Sequence, residues 1–278
     1  MLIRVVLISG ITLLSGCQQS GMNIDFEKAL SIAQKSQQAG KTIAEPEEIK
    51  MGSGIAANLL GASPLLADER VQKYVNHVGR WISLHTERPD LPWKFGVLAS
   101  TDVNAFATPG GTIFITRGLL QKHNNESELA GVLAHEMVHV LRKHHLAALQ
   151  KEARLGIASD LVGEALKDKN SLILEKAIKA GTEVYARGLD KGDEFEADRM
   201  GIVIATRAGY DPFGLPAVLQ MLEASNAQDS SLALMFKTHP APRDRLSLLD
   251  KIMGNRFDAY TTPVQTDKRF KSEVSQHL

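Results

Sequence analysis

Apolar residues recur at two different spacings in the first half of the chain. From Asp68 to Leu84 they stand three and four positions apart, which predicts a helix with one buried face. From Trp93 to Ala99 every second residue is apolar, which is typical of a strand. Two further strands are expected from Val103 to Thr108 and from Thr112 to Thr116. Pro109-Gly110-Gly111 predicts a tight turn between them, because glycine adopts positive φ angles without strain.

Helices are expected to fill most of the second half. Asn125, followed three residues later by Glu128, forms a capping-box sequence ahead of a helix that reaches about Leu141. Further helices are marked by an acidic first turn or by an early proline, and start at about Asp193, after Asp211-Pro212 and after Ala241-Pro242. These patterns predict an α+β fold that is mainly helical, with a small antiparallel sheet.

The composition is that of an ordinary globular protein. The 278 residues include 32 basic and 32 acidic side chains and are 44% hydrophobic, which excludes disordered and fibrous classes. A formal net charge of zero argues against a general nucleic-acid surface, so we expect no nucleic-acid partner. Cys17 is the only cysteine, which excludes an intramolecular disulfide and a cysteine-ligated zinc cluster.

The N-terminal residues have the pattern of an export signal. A basic residue, Arg4, precedes an apolar run from Val5 to Leu14, and the first 17 residues contain no acidic side chain. The run is shorter than the roughly 20 residues that span a bilayer, so a transmembrane helix is the weaker interpretation. Leu14-Ser15-Gly16-Cys17 resembles the bacterial lipobox, which implies cleavage before Cys17 and acylation of its thiol. A plain signal peptide with an incidental cysteine is the alternative.

The segment His135-Glu136-Met137-Val138-His139 is an HExxH motif inside the predicted helix. Residues four apart lie on the same helical face, so both imidazoles can reach one tetrahedral zinc ion at about 2.0 to 2.1 Å. Glu136 points in a neighbouring direction and can take a proton from the attacking water without binding the metal itself. A chance occurrence of HExxH would not be expected to lie in a capped helix of a chain that also carries an export signal. The motif therefore predicts a catalytic zinc site.

A catalytic zinc ion needs a third protein ligand and one open position. Glu194 and Asp198 are four residues apart, so one carboxylate could bind the metal while the other holds a ligand histidine. Asp198 suits the second role. An acidic helix start that complements the helix dipole is the alternative, and the residues alone favour it.

Together, HExxH and the Glu-x-x-Ala-Asp sequence that ends at Asp198 resemble the gluzincin peptidases of the HtpX and CAAX prenyl endopeptidase family, most closely its exported lipoprotein branch. Further matches extend the resemblance from residue 102 to residue 249, about half of the chain: Asn104-Ala105-Phe106-Ala107, Pro109-Gly110-Gly111, Gly118-Leu119-Leu120, the helix from Asn125 to Val140, and Thr238-His239-Pro240 followed by Arg245. The resemblance implies a zincin-like metalloprotease domain in which the small sheet lies beside the HExxH helix.

The resemblance also implies roles for single residues. The zinc ligands are His135, His139 and Glu194, with one Zn²⁺ per chain. Glu136 is the general base, and Asp198 accepts a hydrogen bond from a ligand histidine, from the ring nitrogen that does not bind the metal. Asn104, Ala105, Phe106 and Ala107 belong to an edge strand beside the cleft, where an extended peptide would bind as an additional strand.

Two residues nearer the C-terminal end have more than one possible role. His239 is expected near the active site, either as a fourth zinc ligand at rest or as a donor to the substrate's oxyanion, and an ordinary loop histidine is the alternative. Arg245 could stabilise a tetrahedral intermediate or pair with an acidic neighbour. The remaining histidines are interpreted as structural or solvent-facing: His77, His85, His123 and His277, together with His144 and His145, which we expect on a solvated basic helix face.

These features predict a zinc-dependent metalloendopeptidase acting in cell-envelope quality control. The expected substrates are unfolded or misassembled envelope proteins, cut by a metal-activated water with Glu136 as base. Alternatives are an assembly factor or chaperone with a zinc-plugged site, and a zinc hydrolase of cell-wall peptides or other non-protein substrates. Gln18 after the cysteine implies an outer-membrane lipoprotein facing the periplasm. The expected segments are a signal peptide (1–16), a lipidated tether with a peripheral helix (17–50), the zinc metallopeptidase domain (51–256) and a polar C-terminal tail (257–278).

Overall fold

The structure is a computed structural model that describes residues 43–160, 187–226, 228–260 and 266–278, with the backbone alone for 153–160. The predicted signal peptide, Cys17 and most of the predicted tether lie outside these ranges. Within them, no helix has the length and apolar character needed to cross a membrane.

The described residues are mainly helical, as the sequence predicts, with one small sheet. The α-helices are α1 Glu45–Ala62, α2 Glu69–Ser83, α3 Arg117–Leu120, α4 Glu126–Leu141, α5 His144–Asp160, α6 Lys191–Arg207, α7 Gly214–Ala224, α8 Ala233–Thr238, α9 Pro242–Met253 and α10 Asp267–Phe270. The strands are β1 Lys94–Leu98, β2 Ala105–Thr108 and β3 Thr112–Thr116. Short 3₁₀ helices at Ser230–Leu232 and Asp258–Tyr260 and a π-helix at Lys271–Ser275 complete the described elements.

The sheet is mixed, which corrects the expectation of an antiparallel sheet. Its strand order is β1-β3-β2. β2 and β3 form the predicted antiparallel hairpin, and its turn contains Gly110 and Gly111 at φ 78° and 101°. β1 instead pairs with β3 in the parallel sense. Alternation of apolar residues is the same in both kinds of pairing, so the pattern predicts a strand but not its direction.

Helix α4 lies at the centre of the described fold and all of its residues are buried. The Asn125 side chain caps its N-terminus as predicted and accepts a 2.9 Å hydrogen bond from the Glu128 amide. The Glu128 carboxylate accepts one of 2.7 Å from the Asn124 amide, one residue before the amide that a capping box would use. Helix α6 packs closely on α4 at Gly201, where an added Cβ would lie 2.9 Å from the backbone nitrogen of His135. The absence of a side chain at Gly201 therefore sets the distance between the two helices that carry the candidate site.

Two segment boundaries differ from the expectation. Helix α1 starts at Glu45 and runs across the predicted end of the tether at residue 50, with Met51 and Ile55 buried. In the predicted polar tail, Phe270 and Val274 are fully buried in the main core. These two residues are four apart on one helical face, so a short apolar pair packs onto the core from an otherwise polar segment.

Candidate metal centre

Three predicted ligands meet between α4 and α6. The Nε2 atoms of His135 and His139 are 3.1 Å apart. The Glu194 carboxylate lies 3.6 Å from each of them, with one oxygen toward each ring. Two ligands placed about 2.0 to 2.1 Å from a tetrahedral ion are about 3.3 to 3.4 Å from each other. The two ring nitrogens and the carboxylate therefore lie close to the spacing that one small tetrahedral ion requires of its ligands.

The Glu194 carboxylate is a buried charge that is only partly compensated, because the positive charge of Arg245 lowers its pKa less than burial raises it. Glu194 is 1% exposed, and its Oε2 atom accepts no hydrogen bond from the described residues. Burial raises the pKa of Glu194 to about 8, and the nearby carboxylates of Asp198 and Glu136 act in the same direction. A divalent cation between two imidazole nitrogens and this oxygen would stabilise the carboxylate. Two nitrogen ligands and one oxygen ligand form a set that suits zinc.

Asp198 and Arg245 support His135 from the side away from the other ligands. The Nδ1 atom of His135 is 3.0 Å from Asp198 Oδ1. Arg245, from α9, donates to both Asp198 oxygens, with Nε 2.8 Å from Oδ2. Burial alone would raise the pKa of Asp198, but the Arg245 guanidinium holds it well below its usual range. Of the two roles expected for Arg245, the observed geometry is pairing with an acidic neighbour.

Glu136 and His239 face the same site. One ligand atom from each of His135, Glu136 and His239 lies within 4.8 Å of the others. The Nε2 atom of His239 is 3.7 Å from Glu194 Oε2, and its Nδ1 atom is 2.9 Å from the Thr238 hydroxyl. Burial raises the pKa of Glu136 to about 8, and the positive charge of Arg245 works in the opposite direction. The histidine expected to approach the site therefore does so, from the loop between α8 and α9.

A cleft connects these residues with β2. Asn104, Ala105 and Phe106 line one side of it, and Glu136 and His239 are among the residues of the other side. Ala107 is fully buried and does not line the cleft, although it belongs to the same predicted binding segment. Beside Glu136 lies a second, mostly aliphatic pocket, whose walls include Leu119, Val132, Leu215, Val218, Leu222 and Met235.

The expectation of a solvated face is wrong for His144 and His145. His144 is buried, and its Nδ1 atom is 3.0 Å from Nδ1 of His139. On a continuous helix, residues five apart point about 140° away from each other. Here α4 ends at Leu141 and α5 begins at His144, because Lys143 adopts the left-handed conformation at φ 59°. His145 lines the cleft, and burial lowers its pKa to about 3.

Comparison with known proteins identifies the family of this chain. A family model described as Peptidase family M48 matches residues 66–253. The chain belongs to peptidase family M48. This membership confirms the resemblance drawn from the motifs, and it confirms the expected enzyme class, a metalloendopeptidase, at the level of the family.

Named relatives of this M48 chain come from bacteria and mitochondria. A beta-barrel assembly-enhancing protease of Yersinia pestis is 31% identical over 215 residues, which cover 75% of this chain and 44% of the relative. The protein of the same name in Escherichia coli K12 is 29% identical with the same coverage. A mitochondrial metalloendopeptidase OMA1 of Schizosaccharomyces pombe is 26% identical over 179 residues, 64% of this chain and 52% of the relative. The chain thus spans about half the length of these relatives.

Proposed function

We propose that this chain is a zinc-dependent endopeptidase that cuts unfolded or misassembled proteins of the bacterial cell envelope. The observation that carries the proposal is the trio of His135, His139 and Glu194 beside a buried Glu136: the two ring nitrogens are 3.1 Å apart, and each is 3.6 Å from one oxygen of the Glu194 carboxylate. The envelope setting rests on the relatives named beta-barrel assembly-enhancing protease and on the export pattern before Cys17.

The side chains of the site have distinct parts in the reaction. One zinc ion held by the three ligands would supply a Lewis acid that lowers the pKa of a water toward 7 and polarises the scissile carbonyl. Glu136 takes the proton from the attacking water and passes it to the leaving amine. A cation nearby favours the ionised form of Glu136, which the buried site alone disfavours. Asp198 fixes the His135 ring through Nδ1.

The cleft beside β2 suits an extended stretch of substrate. Asn104, Ala105 and Phe106 border it along the outer strand of the described sheet. The aliphatic pocket next to Glu136 would offer apolar contact to a small side chain close to the scissile bond. Apolar side chains on extended backbone are accessible in unfolded or misassembled proteins and buried in native ones. The site is therefore expected to select the folding state of its substrate more than one particular sequence.

The first test follows digestion of an unfolded protein by the full chain, purified in detergent and loaded with zinc. Wild type should cut, whereas Glu136→Gln should lose about 10² to 10⁴-fold in rate at unchanged zinc content, because the proton acceptor is gone. Glu69→Gln is the matched control, since Glu69 is an exposed residue of α2. Digestion by Glu136→Gln at the wild-type rate would refute the proposal.

The position of His239 favours one alternative, an envelope assembly factor or chaperone with a plugged metal site. Its Nε2 atom is 3.7 Å from Glu194 Oε2, close enough for His239 to occupy a fourth position on an ion held by Glu194. The activity of His239→Ala separates the two functions. A rise in digestion means that His239 blocks the site, and a loss means that it assists the peptidase reaction.

We also propose that the chain is a lipoprotein at the periplasmic face of the outer membrane, anchored through Cys17. This proposal rests on Leu14-Ser15-Gly16-Cys17 and on Gln18 after the cysteine. Cells that express the protein and are fed radiolabelled palmitate should label the wild type but not Cys17→Ala. Equal labelling of the two would exclude acylation at this cysteine.

A further inference from the structure

Each of the two candidate histidine ligands has a close contact on the ring nitrogen that points away from the ligand cluster. For His135 the contact is Asp198, 3.0 Å from Nδ1. For His139 it is a second imidazole, that of His144, also 3.0 Å from Nδ1. We propose that His144 is a positioning residue that orients His139 as a metal ligand and connects it to the acidic residues Asp193 and Glu196 of α6. The inference rests on the proposed zinc site.

The proton positions follow from the geometry. His139 Nε2 faces His135 and Glu194, so as a metal ligand this nitrogen must keep its lone pair free. The proton of the neutral ring is then on Nδ1, and that N–H donates to Nδ1 of His144. His144 consequently carries its own proton on Nε2. In this tautomer a neutral imidazole accepts the hydrogen bond that a metal-bound histidine donates from its other ring nitrogen.

The surroundings of His144 favour the same tautomer. Its Nε2 atom lies 3.6 Å from Glu196 Oε2 and 3.7 Å from Asp193 Oδ1. These distances are too long for direct hydrogen bonds but short enough for electrostatic attraction to an N–H group. Both carboxylates are on α6, the helix that supplies Glu194. Helix α6 therefore supports both histidines, His135 through Asp198 and His139 through His144.

A local break in the helix brings His144 into place. Lys143 has a φ of 59°, a conformation that costs free energy for a residue with a side chain. Its ammonium group contacts the buried carboxylate of Glu48 at 3.0 Å, and Arg142 Nε lies 3.2 Å from Glu196. These two ion pairs, made by Arg142 and Lys143, stabilise a turn that a continuous helix would not make.

The experiment compares zinc affinity among variants of the full-length protein in detergent, by competition with a chromophoric chelator. His144→Leu removes the acceptor, and we expect it to weaken zinc binding by about 10 to 100-fold. His144→Asn keeps an oxygen close to the position of Nδ1 and should retain affinity within a few-fold of wild type. The same two substitutions at His77, an exposed residue of α2, are matched controls and should change nothing.

The outcomes separate a positioning role from a structural one. Equal zinc affinity of His144→Leu and wild type would overturn the inference, and so would an asparagine variant as weak as the leucine variant. A structural role would lower the melting temperature of the zinc-free protein and leave zinc affinity unchanged. If His144→Leu fails to fold, His144→Gln replaces it, because glutamine can reach toward Asp193 but offers no acceptor at Nδ1. A wild-type chain that binds no zinc would instead refute the proposed metal site.

Discussion

Arg245 and Asp198 form an ion pair that is cut off from water. The two side chains are 4% and 2% exposed, and the guanidinium donates to both carboxylate oxygens. The pair also contacts His135, through Asp198 Oδ1 and through Arg245 Nη2 at 3.4 Å. Because taking both ions out of water is costly, the pair gains little stability over an apolar pair, but loss of one partner leaves a buried charge uncompensated.

Arg245→Met should therefore destabilise the zinc-free protein by about 3 to 5 kcal/mol, measured by urea unfolding. Arg243→Met is a control two residues earlier on α9. Arg243 is 81% exposed and contacts Glu223 at 3.0 Å, and a surface pair of this kind contributes about 0 to 1 kcal/mol. Equal losses for the two variants would contradict the assignment of Arg245 as the counter-ion of Asp198.

Glycines on α6 allow a similar comparison between two positions of one helix. A Cβ at Gly201 would lie 2.9 Å from the His135 nitrogen, whereas a Cβ at Gly192 would meet nothing within 4 Å. Gly201→Ala should push α6 away from α4 and destabilise the protein by about 1 to 3 kcal/mol. Gly192→Ala should be neutral or stabilising by up to about 1 kcal/mol, because alanine favours the helix. Urea unfolding of both variants measures the difference, and a stabilising Gly201→Ala would contradict the close packing.

The sequence predicts best the elements whose signals are local. The Asn125 cap, the HExxH spacing and the Gly110-Gly111 turn each depend on residues within a few positions, and all three have the expected form. The parallel pairing of β1 with β3 depends on residues far apart in the chain, and no local pattern carries it. The expectation of a solvated His144 is wrong for a related reason. Its position depends on a left-handed lysine, and lysine gives no signal for that conformation.

In the candidate site, too, the sequence predicts the features that depend on nearby residues and not those that depend on long-range packing. HExxH predicts which two histidines lie together, since one helix carries both. The residues alone favour an acidic helix start at Glu194, and only the family resemblance predicts that Glu194 is a metal ligand. The orphaned Glu194 oxygen, 3.6 Å from Nε2 of His135, is brought to the site only by the packing of α6 on α4. Long-range packing is therefore the part of the site that the sequence alone leaves open.

The ligands proposed for zinc join α4 to α6, so metal binding should stabilise the folded domain. With zinc present at about 100 times its dissociation constant, the gain is about 2.7 kcal/mol. For a domain of this size that raises the melting temperature by about 5 to 10 °C. Removal of zinc by a chelator should reverse the shift, and Glu194→Gln should reduce it. A melting temperature that zinc leaves unchanged would contradict a site between the two helices.

Glu126 joins three regions that are distant in the sequence. It is fully buried at the start of α4, where it accepts hydrogen bonds from the hydroxyls of Tyr74 and Tyr210 and from the guanidinium of Arg269. Burial and the Glu126 carboxylate raise the pKa of both tyrosines, so each hydroxyl stays protonated as a donor. Arg269 precedes Phe270, whose side chain is in the main core. The segment 266–278 is thus attached to the same helix that carries HExxH.

Arg269→Met should loosen this attachment and destabilise the protein by about 1 to 3 kcal/mol. The loss stays below that of a fully buried pair, because Arg269 is 57% exposed and the two tyrosines still donate to Glu126. Hydrogen exchange should show residues 266–278 losing protection before α4 does, since the segment would then depend on Phe270, on Val274 and on surface contacts such as that of Arg70 with Glu273. Lys268→Met, an exposed neighbour in α10, controls for the loss of one positive charge. If both variants keep wild-type exchange, the other contacts of the segment hold it without the ion pair between Arg269 and Glu126.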